Sequence, residues 1–123
     1  MHGKFIALVG IGGMIGSILR YLIAIWVKNS PFPYATFLVN IIGSLIIGAS
    51  MAWFSKHADE QGLKLLLITG ICGGFTTFSA FAWENWQLLL DQRYLVFGIY
   101  SIGTLILGLL AVAIGYWLIN NIL

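Results

Sequence analysis

Polar side chains that could contact an ion lie inside stretches of sequence that are otherwise apolar. Asn40 lies inside one such stretch, and Thr76, Thr77 and Ser79 cluster in another. An amide without a hydrogen-bond partner in hydrocarbon costs several kcal/mol, so Asn40 must find a partner on a neighbouring helix or along a water-lined path. Because polar groups within a membrane are candidates for function by default, the sequence favours a functional role for Asn40.

Two phenylalanines accompany these polar groups. Phe78 and Phe81 are three residues apart and therefore share a face if the segment is helical. Such a pair commonly faces lipid or packs in a core, but here Thr77 and Ser79 flank Phe78. The edge of a phenyl ring carries positive quadrupole character, so an anion can approach that edge without meeting a full charge. An anion-contacting role and simple packing are both open for the pair at this point.

The same segment is poor helix sequence. Gly73 and Gly74 are followed by Phe75 and two β-branched threonines, and glycine and β-branched residues both lower helix propensity. We expect the helix to break over residues 73–77. Exposed backbone at membrane depth is tolerated only against protein or a cavity, and carbonyls freed by such breaks are cation ligands in transporters. If two antiparallel copies met at this break, their carbonyls could surround one small cation on the symmetry axis.

Two ionisable residues also lie within apolar stretches. Arg20 is close enough to Lys28 in sequence to extend its side chain to the membrane surface, and a functional role is the alternative. A buried, unpaired carboxylate is costly, so Glu84 is expected either in a watery mouth or paired with a base such as Arg20. The residues alone leave both pairs of alternatives open.

Membrane-spanning helices must position these residues. The 123-residue chain is 60% hydrophobic and 8% charged, whereas soluble domains carry about 25% charged residues. A span needs about 20 mostly apolar residues, and four candidates occur, at about residues 4–27, 34–54, 63–90 and 94–119. Short connections make neighbouring helices antiparallel. The predicted fold is all-α: a single membrane domain over residues 1–123, built as an integral four-helix bundle whose third helix is broken near its middle.

Small or polar residues recur at a spacing of four in three of these stretches. The positions are Gly12, Gly16 and Arg20, then Thr36, Asn40, Ser44 and Gly48, and finally Tyr100, Thr104 and Gly108, with Gly115 two turns on. Residues four apart lie on one helix face, and small residues on a face allow helices to pack closely in lipid. Most of these glycines are therefore predicted to be packing residues.

Lysines and arginines divide equally between the two sides of the predicted bundle. Lys4, Lys56 and Lys64 lie on the side of both termini, and Arg20, Lys28 and Arg93 lie on the other, three against three. Orientation in the membrane follows a Lys/Arg bias, which is absent here, so we hypothesise that the protein inserts both ways. An antiparallel homodimer with a two-fold axis in the membrane plane then becomes possible. The alternative is that the tie is accidental.

Several other function classes are disfavoured. The net charge of +2 is small and the basic residues form no run, which argues against nucleic acid as a partner. A single cysteine, Cys72, excludes an intramolecular disulfide and a cysteine-cluster metal site. Neither histidine has a plausible nucleophile or ligand set, so the chain is predicted not to be an enzyme.

Three motifs occur in order along the chain. They are Gly12-Gly13-x-x-Gly16-x-x-x-Arg20-Tyr21, Val39-Asn40-x-x-Gly43-Ser44-x-x-x-Gly48 and Gly73-Gly74-Phe75-Thr76-Thr77-Phe78-Ser79-x-Phe81. With these motifs in four spans, the chain resembles the Fluc (CrcB) family of fluoride channels over nearly its whole length. The third motif is the most specific. It departs from the family at Ala80, where threonine is frequent, so no role of that hydroxyl carries over.

The resemblance implies a passive fluoride channel in the plasma (inner) membrane, which exports fluoride down its electrochemical gradient and protects the cell from fluoride toxicity. It implies an antiparallel, dual-topology homodimer with two pores. The implied pore residues are Asn40, Phe78, Ser79, Phe81, Tyr100 and Thr104, with Arg20 near an aqueous vestibule and Glu84 near the opposite mouth. A structural sodium ion at the dimer interface would be held by the backbone carbonyls of Gly73 and Thr76 from both chains.

Two other functions fit parts of the sequence. A proton-coupled exporter of the small multidrug resistance kind shares the size, the four spans and the dual topology. Such exporters resemble one another in a glutamate within the first span, where this chain has Arg20 and no acidic residue. A non-transporting assembly or scaffold subunit would explain the glycines but not the cluster of Asn40 with Thr76, Thr77 and Ser79. The fluoride channel is therefore the favoured interpretation.

Overall fold

The computed structural model describes residues 2–27 and 31–123, and this part of the chain contains helices and no strands. The elements are α1 (His2–Trp26), α2 (Tyr34–Ser55), α3 (Gln61–Lys64), a π-helix (Leu65–Cys72), α4 (Gly73–Phe75), α5 (Phe78–Leu90) and α6 (Tyr94–Ile122). Four stretches are long and apolar enough to cross a membrane: α1, α2, the composite third span Gln61–Leu90, and α6. The all-helical prediction with four spans is confirmed.

The third span is broken near its middle, as predicted, but the break is shorter than the predicted 73–77, because Gly73–Phe75 stay helical and only Thr76 and Thr77 leave the helix. Helix α4 ends at Phe75, and Thr76 (φ −89°, ψ 157°) and Thr77 (φ −151°, ψ 115°) have extended backbone. Threonine is favoured at helix N-caps, and Thr77 caps α5 because its Oγ1 accepts a hydrogen bond from Ala80 N at 3.2 Å. The threonine pair therefore both ends one helix and starts the next. Before the break, eight residues form the π-helix, a conformation that is frequent at functional sites.

Close approaches at glycines hold the helices in two main pairs. Helix α2 packs chiefly on α6, and α1 packs chiefly on the first half of the third span. A Cβ at Gly48 would lie 2.9 Å from Val112 Cα, and one at Gly70 would lie 2.8 Å from Gly12 Cα. Real side chains do not tolerate such distances, so glycine is what lets these backbones approach. The predicted packing role of Gly12 and Gly48 is confirmed.

The break changes which helices the third span contacts. Its first half lies on α1, whereas α5 packs on α6 and α2. The extended residues 76–77 therefore lie where second-span and fourth-span residues can reach them. The single-domain organisation and the dual topology stay predictions, and Lys28, which enters the charge count, lies outside the described residues.

Candidate ion pathway

The Asn40 side chain pairs with the broken backbone of the third span. Its Oδ1 accepts a hydrogen bond from Thr77 N at 2.9 Å, and its Nδ2 donates to Thr77 O at 3.2 Å. The amide thus satisfies both backbone groups of one extended residue, as a neighbouring β-strand would. Because Nδ2 carries two hydrogens, one of them is left for another acceptor. The hydrogen-bond partner expected for Asn40 is therefore the backbone of Thr77, within the break.

Two backbone carbonyls at the break lose the donors that a continuous helix would supply. Thr77 N, which would donate to Gly73 O in an α-helix, donates to Asn40 Oδ1 instead. Ala80 N, which would donate to Thr76 O, donates to Thr77 Oγ1. The carbonyl oxygens of Gly73 and Thr76 are thereby released from helical hydrogen bonding. Both residues line the same open groove.

Arg20 also contacts the break. Its Nε donates to Gly74 O at 3.1 Å, a carbonyl that would accept from Phe78 N in a continuous helix. Of the two alternatives for Arg20, this hydrogen bond favours a role within the bundle over extension to the membrane surface. A position near an aqueous vestibule stays a prediction.

An open groove of about 670 Å³ runs past the break, between residues of the second, third and fourth spans. The predicted pore and sodium residues that line it are Asn40, Gly73, Thr76, Phe78, Phe81 and Thr104. Most other lining residues are apolar, such as Ile47 and Leu109. Ser79 and Tyr100, which are also predicted pore residues, do not line the groove. They are the chain neighbours of the lining residues Phe78 and Ser101. Residues far apart in the chain are thus brought to one surface.

The two phenylalanine rings lie side by side on this groove. Their centroids are 6.0 Å apart with an interplanar angle of 45°, and the Phe81 ring lies 5.0 Å from that of Tyr100. Phe78 is 78% exposed although it follows the break at mid-span. The rings therefore border a space that this chain by itself leaves open on one side.

Hydroxyl groups near the rings differ in their hydrogen bonding. Within the described part of the chain, Thr104 Oγ1 is the buried side-chain polar atom that has no partner, although such atoms nearly always have one. Ser79 Oγ lies 3.2 Å from Thr77 Oγ1. Tyr100 is fully buried, and its hydroxyl donates to Glu84. The Thr104 hydroxyl is thus unpaired in a residue that lines the groove, whereas the Tyr100 hydrogen is already engaged.

Glu84 is held by two hydroxyl groups. Thr36 Oγ1 donates to its Oε2 and Tyr100 Oη donates to its Oε1, both at 2.9 Å. The residue also lines a second cavity of about 300 Å³, together with Arg93 at the start of α6. These contacts favour a mouth over an ion pair with Arg20, whose Nε donates to a backbone carbonyl.

One polar pair close to the rings is absent from the sequence predictions. Asn85 is buried, its Nδ2 donates to Phe81 O at 3.0 Å, and its Oδ1 accepts from Ser101 Oγ at 2.8 Å. The cost of an unpaired amide in hydrocarbon, which singles out Asn40, applies equally to Asn85. That signal could have identified Asn85 from the sequence, but not its partner on α6.

The lining of the groove suits an anion that must also be released. Asn40 Nδ2 and Thr104 Oγ1 can donate hydrogen bonds, and the ring edges add weak positive potential. The described lining contains no lysine or arginine that would hold an anion by a full charge, and conduction needs sites from which the ion can leave. Carbonyl oxygens without helical donors, such as those of Gly73 and Thr76, suit a cation rather than an anion.

The chain matches a known family along nearly its whole length. The model of the family described as CrcB-like protein, Camphor Resistance (CrcB), matches residues 7–116. The chain belongs to the CrcB family. A CrcB relative from Phocaeicola vulgatus, named fluoride-specific ion channel FluC, is 42% identical over 118 residues, which cover 94% of this chain and 98% of the relative.

Two further CrcB relatives carry the same name. The protein from Flavobacterium psychrophilum is 45% identical over 112 residues, covering 88% of this chain and 90% of the relative. The protein from Ignicoccus hospitalis is 38% identical over 121 residues, covering 98% of each. These relatives are named as channels rather than enzymes, in agreement with the prediction that the chain is not an enzyme. With its four spans, the chain is a multi-pass membrane protein.

Proposed function

We propose that this chain is a fluoride channel, which lets fluoride leave the cell passively across the plasma membrane and thereby protects it from fluoride toxicity. The observation that carries the proposal is the groove that brings Asn40, Phe78, Phe81 and Thr104 together. It occurs in a chain whose relatives are named fluoride-specific ion channels. The negative interior potential of the cell supplies part of the driving force for anion exit.

Fluoride is small and tightly hydrated, so a narrow path must replace its water with hydrogen-bond donors. The second hydrogen of Asn40 Nδ2 and the unpartnered Thr104 Oγ1 are such donors. The Phe78 and Phe81 rings supply edges with positive character between them. Because these interactions are individually weak, the ion passes from one to the next without a deep well.

The path is completed by a second, antiparallel copy of the chain. The released carbonyls of Gly73 and Thr76 at mid-span need protein or a cavity against them, since lipid cannot satisfy backbone polar groups. Gly73 and Gly108 on the groove leave room for close approach, because a Cβ at either would meet no described atom beyond its own helical turn nearer than 3.7 Å. The equal division of basic residues removes the bias that would prevent antiparallel insertion.

A structural sodium ion at this interface fits the residues present. The carbonyl oxygens of Gly73 and Thr76 have lost their helical donors, and carbonyl oxygen is a ligand suited to hard cations. Among residues 2–27 and 31–123, no group of three or more His, Cys, Asp or Glu side chains could hold a metal. Two carbonyls from each copy would hold the ion, whose charge would join the two broken spans.

The proposal is tested by fluoride efflux from liposomes that contain the purified protein, with chloride-loaded liposomes as the control. We expect a fluoride leak without a chloride leak. No fluoride leak, or an equal chloride leak, would overturn the proposal. Transport that depends on a proton gradient would instead favour the small multidrug exporter. Dual topology is tested separately with C-terminal reporter fusions, where activity on one side only would exclude antiparallel insertion.

A further inference from the structure

Helix α5 carries both phenylalanines, and neighbouring side chains tie it to α6. Tyr100 Oη donates to Glu84 Oε1 at 2.9 Å, and Ser101 Oγ donates to Asn85 Oδ1 at 2.8 Å. Successive residues on an α-helix point about 100° apart. A single hydrogen bond of this kind could be kept while α5 rotates about its axis, but the two together fix the rotation of the helix.

Asn85 connects this contact to the Phe81 ring. The residue is 8% exposed, and its Nδ2 donates to Phe81 O one turn earlier. Ser101 and Phe81 line the same groove. Side chains extend to roughly 5–6 Å from a helix axis, so a rotation of about 20° would displace a ring by ~2 Å. That displacement is a large fraction of the 5.0 Å between the Phe81 and Tyr100 ring centroids.

We infer that Asn85 and Ser101 are positioning residues, which fix the rotation of α5 and thereby hold the Phe81 ring edge at the ion path. The inference rests on the proposed fluoride conduction and gives both residues a positioning role, because the Ser101 hydroxyl on the groove is engaged by Asn85 Oδ1. Ser101 acts by orienting the Asn85 amide, and Asn85 acts through the backbone and rotation of the helix that carries Phe81.

The first test compares Ser101→Ala with Ser101→Thr in the liposome assay. Alanine removes only the hydroxyl, and we expect about a fivefold lower fluoride flux, the effect of one interhelical hydrogen bond. Threonine keeps a hydroxyl and should restore at least half of the wild-type flux. Ser55→Ala is the matched control, because within the described residues the Ser55 hydroxyl donates to Ala52 O on its own helix and to no other helix. Wild-type flux in Ser101→Ala, or failure of Ser101→Thr to improve on it, would overturn the inference.

The second test combines Ser101→Ala with Phe81→Ile. If Ser101 acts through the ring, its loss should have little further effect once the ring is absent. A merely structural role would lower flux by the same factor in both backgrounds, and that result would overturn the inference. Fluoride flux through the wild-type protein tests the proposed function. The flux ratios between variants test the positioning role of Asn85 and Ser101, so failure of one hypothesis can be told from failure of the other.

Asn85→Leu provides an independent variant of similar size. We expect it to lower fluoride flux at least as much as Ser101→Ala. Asn121→Leu is its control, because Asn121 makes the same type of bond to the carbonyl four residues earlier and, among residues 2–27 and 31–123, to no other helix. If Asn85→Leu does not fold, the Ser101 series decides alone, and equal flux in Asn85→Leu and Asn121→Leu would overturn the inference.

Discussion

Replacing Asn40 with alanine should let the break in the third span close. The substitution removes the hydrogen bonds to Thr77 N and Thr77 O, at 2.9 and 3.2 Å. Thr77 N would then regain Gly73 O as its helical acceptor. The released carbonyl and the donor of the ion path are lost in one change, so flux and stability should both respond.

The magnitude follows from the two bonds. Hydrogen bonds between membrane helices contribute about 0.6 kcal/mol on average and up to about 1.7 kcal/mol. Two of them therefore amount to about 1–3 kcal/mol, or roughly a 5- to 150-fold lower population of the conducting conformation. Because the loss of a fluoride donor adds to this, we expect Asn40→Ala to lie toward the upper part of that range.

The assay is fluoride efflux from liposomes, with thermal unfolding in detergent measured beside it in sodium and in potassium buffers. Asn121→Ala is the control, because in the described part of the chain that amide bonds only to Trp117 O on its own helix. If the carbonyls of Gly73 and Thr76 bind sodium, wild type should unfold at a higher temperature in sodium and Asn40→Ala should lose that difference. A flux within twofold of wild type would refute the reasoning, since the two bonds would then not hold the break open.

Three further predictions follow from the geometry. Phe81→Ile removes the ring edge and should lower fluoride flux roughly 2- to 10-fold in the efflux assay, and unchanged flux would remove the ring from the mechanism. Thr104→Val should lower flux without lowering the unfolding temperature, because Oγ1 has no hydrogen-bond partner among the described residues. Thr104→Ser should conduct, and a destabilised valine variant would contradict this account. Gly48→Ala places a Cβ 2.9 Å from Val112 Cα and should destabilise the protein by about 1–3 kcal/mol. In its control, Gly10→Ala, the new Cβ meets no described atom within 4 Å beyond its own helical turn. Equal unfolding temperatures for the two glycine variants would argue against close packing of α2 on α6.

The sequence by itself determined the class of fold and most of the residues worth testing. Apolar stretches of membrane-spanning length are a local property, so four spans could be counted before any packing was known. The tendency to break was also local, because glycine and β-branched threonine lower helix propensity, but the structure keeps Gly73–Phe75 helical and places the break at Thr76 and Thr77. The cost of burying an amide identified Asn40 as a residue that needs a partner.

Only the tertiary structure decided which partners these residues have. A polar side chain at membrane depth must bond to something, but the choice depends on how helices cross and rotate. Asn40 bonds to the broken backbone, Glu84 to two hydroxyls rather than to Arg20, and Asn85 to Ser101 on α6. Periodicity places a residue on a helix face, whereas the contacts of that face depend on close approaches between distant segments, such as Gly12 with Gly70. The sequence alone therefore indicates that the polar groups must be satisfied, and the packing of the helices decides how.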